Sequence, residues 1–396
     1  MLSLRPAWPS WGTLKKSCVF LAVTAGVIWL YLWHLGSLTP GFSPAEAAAR
    51  ITTSNFHSVY DNPVNAPQRL LQYGLQAAGH HGAFWLRLPS VGFAIIFLGL
   101  FYLLVKNWFG RVVGTLSTIL LATTPWVILQ ARNATDGVLL LSPIAILSAY
   151  TWLNNAKPSR RGLAWLVLAV VCALALYVPG LIWLEIAASL VARKELAFII
   201  KGLRRPIFIG GLVLGLIFLI PLILAVGHYP SILKSLILWP SHWSGAMIAL
   251  KAFVWSVLAL VWRTPYHIDI IIGRLPVLDI SQIVLVVFGA YALWAKARHQ
   301  LYVLAGVIGL GLISAGLNQN LLLITLGLPA LLVVDAAGLR FLYVEWRSVF
   351  PHNPIPRFLA VLLMVVLVTL HVALGIRYSL VAWPHTMAVH HTYVLK

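Results

Sequence analysis

Acidic residues are scarce in this sequence. Asp and Glu together number nine in 396 residues, and all charged residues make up 9%. A water-soluble globular chain carries roughly 25% charged residues, so a soluble enzyme and a charged disordered chain are both excluded. Cysteine is scarcer still: Cys18 and Cys172 are the two present, and both fall inside apolar runs. That excludes a disulfide framework and a thiolate metal site. No polar stretch is long enough for a sizeable soluble domain.

What remains is apolar. The apolar set supplies 61% of the residues, and mean hydropathy is +0.91. Apolar stretches of spanning length lie near 17–37, 87–106, 112–131, 136–155, 162–178, 180–193, 206–226, 279–296, 299–315, 318–339 and 357–377. The sequence therefore predicts an all-α polytopic membrane protein of about 11 transmembrane helices. It reads as a single integral membrane domain over 1–396, with Pro179-Gly180 as a turn between two packed helices.

The net charge of +19 could mark a nucleic-acid partner. Sorting the charges along the chain gives another reading. With the N-terminus in the cytoplasm, the inner segments hold Arg5, Lys15, Lys16, Lys106, Arg111, Lys157, Arg160, Arg161, Arg193, Lys194, Lys201, Arg204, Arg205, Lys296, Arg298, Arg340, Arg347 and Arg357. Basic short loops on one side are the positive-inside signature. Topology accounts for most of the charge, and no nucleic acid is expected. Residues 245–262 are apolar enough to span but contain Lys251; crossing there would turn later basic loops outward, so an interfacial or re-entrant helix is expected.

Two long loops then face outward, 38–86 and 227–278. In the first, Ser43-Pro44-Ala45-Glu46 reads as a capping box with proline at the first helical position. A second helix is expected from about Pro67 to Gly79. Gln68, Gln72 and Gln76 share one face, while Leu71, Leu75 and Ala78 line the other, a pattern suited to a membrane surface. The second loop carries Arg263, His267, Asp269 and Arg274, and a short connection between the third and fourth spans carries Arg132 and Asp136. The outer acids are thus Glu46, Asp61, Asp136 and Asp269, with Asp279 at the start of the eighth span. Within the spans, Glu185 is a lone carboxylate and Asp335 is expected to meet Arg340.

The order of motifs resembles a known family. An inner N-terminus and one span precede a long outer loop with two surface helices and an acid near its start. There follow Asn62-Pro63-Val64-Asn65-Ala66-Pro67, then Arg-Leu-Pro-Ser over Arg87–Ser90, Phe-Gly-Arg over Phe109–Arg111, and an acid opening the fourth span at Asp136. Gly273-Arg274-Leu275-Pro276-Val277-Leu278-Asp279 is similar to that family's return from its second large loop. This pattern resembles the GT-C membrane glycosyltransferases, in particular the family-39-like group of protein O-mannosyltransferases and lipid A aminoarabinose transferases. The resemblance covers roughly residues 38–160 and thins beyond.

The resemblance implies inverting transfer of a sugar from a polyprenyl-phosphate donor to an acceptor hydroxyl, at the outer face of the cell membrane. It implies Glu46 and Asp136 as catalytic carboxylates. Arg69, Arg132, Arg263 and Arg274 would bind the donor phosphate, and His267, Asp269 and Asp61 would contact substrate. The implied partners are the lipid-linked donor, a lipid, glycan or protein acceptor, and membrane lipids; no cofactor is implied, and spacing gives no support for a divalent metal. The sequence departs from the family at Ala45-Glu46, where an Asp-Glu pair is common. Glu46 is therefore read both as cap partner and as base. A non-catalytic GT-C-like subunit and a lipid-linked sugar transporter are the alternatives.

Overall fold

The computed structural model describes residues 11–240, 243, 245–264, 275–349 and 354–395. His267, Asp269 and Arg274 lie outside the described residues. Those described are helical, with a single antiparallel backbone bridge between Phe42 and Leu395.

Helix α1 (Trp11–Leu32) leads into three short helices, α2 (Pro44–Thr52), α3 (Phe56–Asp61) and α4 (Ala66–Ala77). The expected capping box opens α2: Ser43 Oγ accepts from Glu46 N, and Glu46 Oε2 accepts from Ser43 N. Helix α5 (Ala83–Phe109) is followed by α6 (Arg111–Thr123) and α7 (Pro125–Ala131), which meet at a 64° bend. Pro125 explains the bend, because the residue before proline is driven out of the helical region; Thr124 has φ −63° and ψ 121°. A 3-10 helix over Asp136–Leu141 continues into α8 (Pro143–Asn155).

Helices α9 (Pro158–Ala175), α10 (Leu181–Val191) and α11 (Arg193–Lys201) precede the long α12 (Arg205–His228). The Pro179-Gly180 turn forms as expected, with Gly180 at φ 85°. After α13 (Ser231–Leu236) and α14 (Ala246–Val261) come α15 (Ile280–Lys296) and α16 (Arg298–Asn318). Gln319 in the left-handed region stops α16, and a 3-10 helix over Leu321–Leu326 precedes α17 (Leu328–Val349). The tenth apolar stretch is thus divided between that 3-10 helix and α17. Helix α18 (Pro354–Ile376) widens into a π-helical turn over Arg377–Ala382, and α19 (Met387–Thr392) ends the bundle.

Among the described residues six helices are long and apolar enough to cross a membrane, or seven if the bent α6–α7 pair is one span. Others, including α10, α14 and α15, are shorter apolar helices. The chain is a multi-pass helical membrane protein, although length and composition do not yield the expected eleven spans. Chemistry, not propensity, sets the tightest contacts. Helices α15 and α17 pack backbone to backbone because Gly289 and Gly338 lie where a Cβ would sit 1.8 Å from the Val334 carbonyl and 2.0 Å from the Leu285 carbonyl.

The buried polar groups of this core depart from expectation at one place. Asp335 is fully buried and neither carboxylate oxygen has a partner, while Arg340 donates to the Trp108 carbonyl at 3.0 Å. The side chains point along different faces of α17, so the expected pair does not form. Asp279 caps α15 and contacts His371 of α18, whose other ring nitrogen lies 3.0 Å from the Leu120 carbonyl of α6. That bridge joins three helices.

The contact between Phe42 and Leu395 places the loop that follows α1 and residues 383–395 on one side, across α5 from Arg111. In a background with Cys18 and Cys172 replaced by alanine, Ala45→Cys and His390→Cys should react with a membrane-impermeant maleimide from the same side of sealed vesicles. Arg111→Cys should react from the other; labelling of all three from one side would refute the arrangement.

Candidate functional site

The first long loop and the segment 133–136 meet at the ends of α4, α5 and α7. Glu46 lies at their centre. It is fully buried, and its carboxylate accepts from Arg87 Nε at 2.7 Å, Arg87 Nη2 at 2.8 Å, Ser43 N at 3.1 Å and Ala134 N at 3.0 Å. Both oxygens are fully engaged, which leaves no lone pair directed at a substrate. Ala45, by contrast, is exposed. Of the Ala45-Glu46 pair, the position facing outward carries no carboxylate, and the acid is built into the scaffold.

Arg87 spends its remaining donors on the turn after α1, reaching the carbonyls of Leu35 and Gly41 and the hydroxyl of Thr39. Arg132 does the same for the end of α1 itself. Its Nη1 donates to the Leu30 and Tyr31 carbonyls and its Nη2 to Trp33. These are the orphan carbonyls of a helix C-terminus, where a cation is favoured. Burial, with the Arg87 cation nearby, lowers the Arg132 pKa to about 10. Arg132, expected to hold donor phosphate, is thus committed to capping α1.

The glutamines of α4 face inward. Gln68 donates to Ser90 Oγ and the Thr135 carbonyl, and Gln72 donates to the carbonyls of Leu86 and Ala134. Gln76 reaches Thr53 Oγ1 and the Arg50 carbonyl. All three are buried, while Leu70 and Leu71 are 44% and 52% exposed. The helix presents its apolar side outward, as a helix against lipid does.

Five side chains of the first loop therefore grip three residues. Glu46 holds the Ala134 N–H, Gln72 and Gln68 hold the carbonyls of Ala134 and Thr135, and Asn65 and Arg69 hold Asp136. Arg69 Nε lies 3.0 Å and Asn65 Nδ2 3.2 Å from Asp136 Oδ2. Asn65 makes this reach from a left-handed backbone conformation at φ 58°, which asparagine tolerates. Asp136 Oδ1 is buried with no partner, as are Asn65 Oδ1 and Gln68 Oε1. The cluster offers three oxygen acceptors with no donor. Such a lining suits a ligand that brings hydroxyl groups.

The 3-10 helix that starts at Asp136 is fixed from below. Gln130 accepts from Trp126 Nε1 and Thr325 Oγ1, both at 2.7 Å, and donates to the Gly137 carbonyl at 2.8 Å. Thr325 belongs to the second 3-10 helix, and the two 3-10 helices pack together. Leu321, at the start of that second helix, lines a groove of about 500 Å³ with Ile248, Trp255, Lys251 and Arg263. Among the described residues, Lys251 and Arg263 have no ion-pair partner.

Asp61 is not brought into the cluster; it is half-buried on α3, 3.9 Å from His57. Glu185 lies on α10 with Oε1 buried and unpartnered. Among the described residues no three His, Cys, Asp or Glu side chains converge where a metal ion could sit. Reading the sequence alone gave no role to Arg87, Asn65 or Lys251. Arg87 and Asn65 stood inside the quoted motifs, and Lys251 was noticed as a charge in an apolar run.

Residues 68–224 match the dolichyl-phosphate-mannose-protein mannosyltransferase family, a stretch shorter than half of the chain. Comparison with curated protein sequences returns no significant match. Solved structures agree over nearly the whole length. ArnT from Cupriavidus metallidurans in the apo state superposes with a TM-score of 0.60 at 12% identity, covering 96% of this chain and 76% of that one. The same protein bound to undecaprenyl phosphate gives 0.57 at 14% identity, with the same coverage. The archaeal oligosaccharyltransferase AglB from Archaeoglobus fulgidus, in complex with an inhibitory peptide and a dolichol-phosphate, gives 0.54 at 11%, covering 93% of this chain and 56% of that one. The chain has the GT-C fold.

Removing one partner of a buried ion pair strands the other charge. Glu46→Gln and Arg87→Met should each lower stability by about 3–5 kcal/mol, read from denaturation in mild detergent. A loss below about 1 kcal/mol would show that the pair is solvated.

Proposed function

We propose that this chain is a membrane glycosyltransferase using a polyprenyl-phosphate-linked sugar, with Asp136 as the carboxylate that receives the acceptor proton. The observation that carries the reading is the asymmetry of Asp136. One oxygen is fixed by Arg69 and Asn65, and the other is unpartnered among further acceptors. A general base needs an oriented carboxylate with one lone pair available; Asp136 has one, and Glu46 does not.

In the proposed step Asp136 Oδ1 takes the proton of an acceptor hydroxyl. The oxygen forms a bond to the anomeric carbon, and the bond from that carbon to the phosphate oxygen breaks. The electron pair leaves with the lipid phosphate, and attack from the opposite face inverts the anomeric centre. Lys251 and Arg263 suit the leaving phosphate, because a cation pair placed where charge develops lowers the barrier, and the apolar wall of Ile248, Trp255 and Leu321 suits its hydrocarbon. Arg69 acts through Asp136, by fixing its rotamer and charge. Arg274, which follows Arg263 in sequence, is kept as a phosphate contact, and His267, Asp269 and Asp61 as substrate contacts. The positive-inside pattern supports a cytoplasmic N-terminus and a reaction at the outer face of the cell membrane. Undecaprenyl phosphate and dolichol-phosphate on structures of the same fold support the donor class. The acceptor class stays open among lipid, glycan and protein.

A second reading, a non-catalytic GT-C-like subunit, is favoured by the exposed Ala45 beside the engaged Glu46.

Purified protein offered a panel of polyprenyl-phosphate sugars separates the two. Asp136→Asn should lower turnover by about 10²–10⁴-fold and retain donor binding. Lys251→Met with Arg263→Met should instead raise the donor dissociation constant. Full turnover in Asp136→Asn would remove Asp136 from the mechanism, and wild-type protein inert towards every donor would favour the non-catalytic reading.

A further inference from the structure

Residues 383–395 return to the head of the first long loop. After the π-helical turn, Trp383 and Tyr393 stack edge to face with ring centroids 5.5 Å apart, enclosing Val389 against Leu129 of α7. Val389 and Tyr393 are 0% and 1% exposed, so these two side chains anchor a segment whose Met387 and Val394 lie open. Its end pairs with the loop: Phe42 N donates to the Leu395 carbonyl at 2.8 Å, and Leu395 N returns to Phe42 at 3.4 Å. Gly41 makes the approach possible, since a Cβ there would lie 2.4 Å from the Leu395 carbonyl oxygen.

The residues so held lead directly to the site. The Gly41 carbonyl accepts from Arg87, and Phe42 precedes Ser43, whose N–H is held by Glu46. Glu46 then holds Ala134, two residues before Asp136. From the other flank, Trp383 and Tyr393 line a small cavity with Arg87, Arg132 and Asn133. The segment thus touches both sides of the grip on 133–136.

We infer that residues 383–395 form a positioning strap: they clamp Gly41-Phe42, and through Ser43, Glu46 and Ala134 they fix where the Asp136 carboxylate points. A strap of this kind leaves substrate contacts intact and controls the geometry of the base, where an error near 1 Å costs about 10²-fold. The consequence for turnover rests on the glycosyl-transfer reading; the mechanical link does not.

The experiment uses full-length Gly41→Ala, Tyr393→Ala and Tyr393→Phe, followed by amide hydrogen exchange. Gly41→Ala and Tyr393→Ala should speed exchange over 42–46 and 131–136 by about tenfold or more, with α15 and α17 unchanged. Tyr393→Phe, which keeps the ring against Trp383, should return exchange close to the wild-type rate. With an active donor and acceptor, kcat should fall in the two disruptive variants while KM stays within about threefold, as expected when only the transition-state geometry is disturbed. Unchanged exchange at 131–136 overturns the inference, and so does a loss of protection spread evenly over α15 and α17. Altered exchange in a protein that transfers no sugar would uphold the strap and count against the transferase reading.

Discussion

The buried pair between Glu46 and Arg87 is the constraint from which the rest of this face follows. Its side chains are 0% and 3% exposed, in a region where an unpaired charge is untenable. Each partner therefore needs every remaining hydrogen-bonding site satisfied. Arg87 finds the carbonyls that follow α1, and Glu46 finds two backbone N–H groups, one capping α2 and one in the segment before Asp136. Satisfying one ion pair thus ties three separate stretches of chain to a point. Arg132 adds a second cation at the end of α1, where the helix dipole and free carbonyls receive it.

The same logic of satisfaction explains α4. In water an amphipathic helix turns its glutamines outward; here Leu70 and Leu71 are exposed and the buried amides find partners inside the protein. They find the backbone carbonyls of 134 and 135, which lie outside regular helix and would otherwise be orphaned. Polar side chains of one loop thereby complete the backbone of another. The difference in saturation between the two acids is a by-product. Glu46 is saturated, and Asp136, held at one oxygen, is left with a basic oxygen to spare.

Much of the architecture was legible in the sequence. The Ser43-Pro44-Glu46 box and the Pro179-Gly180 turn are local signals, and each appears where its spacing placed it. The four-residue glutamine period correctly marked one face of α4, although period alone does not say which face is inside. Where expectation and structure part, the cause is a partner distant in sequence. Glu46 meets Arg87 across 41 residues and Ala134 across 88, and Arg132 meets the end of α1 across about a hundred. The break at Pro125 and the stop at Gln319 altered the expected spans, because each redirects the chain inside an unbroken apolar run.

The sequence by itself determined that this is a helical membrane protein, how its basic loops are distributed, and which few acids could do chemistry. Composition and periodicity suffice for that, since the bilayer demands apolar helices and tolerates few charges. Only the tertiary structure distinguished the surroundings of those acids: the Glu46 carboxylate is fully engaged, and Asp136 keeps one oxygen unpartnered. That depends on side chains converging from α2, α4, α5 and the segment after α7, a convergence that no local pattern encodes.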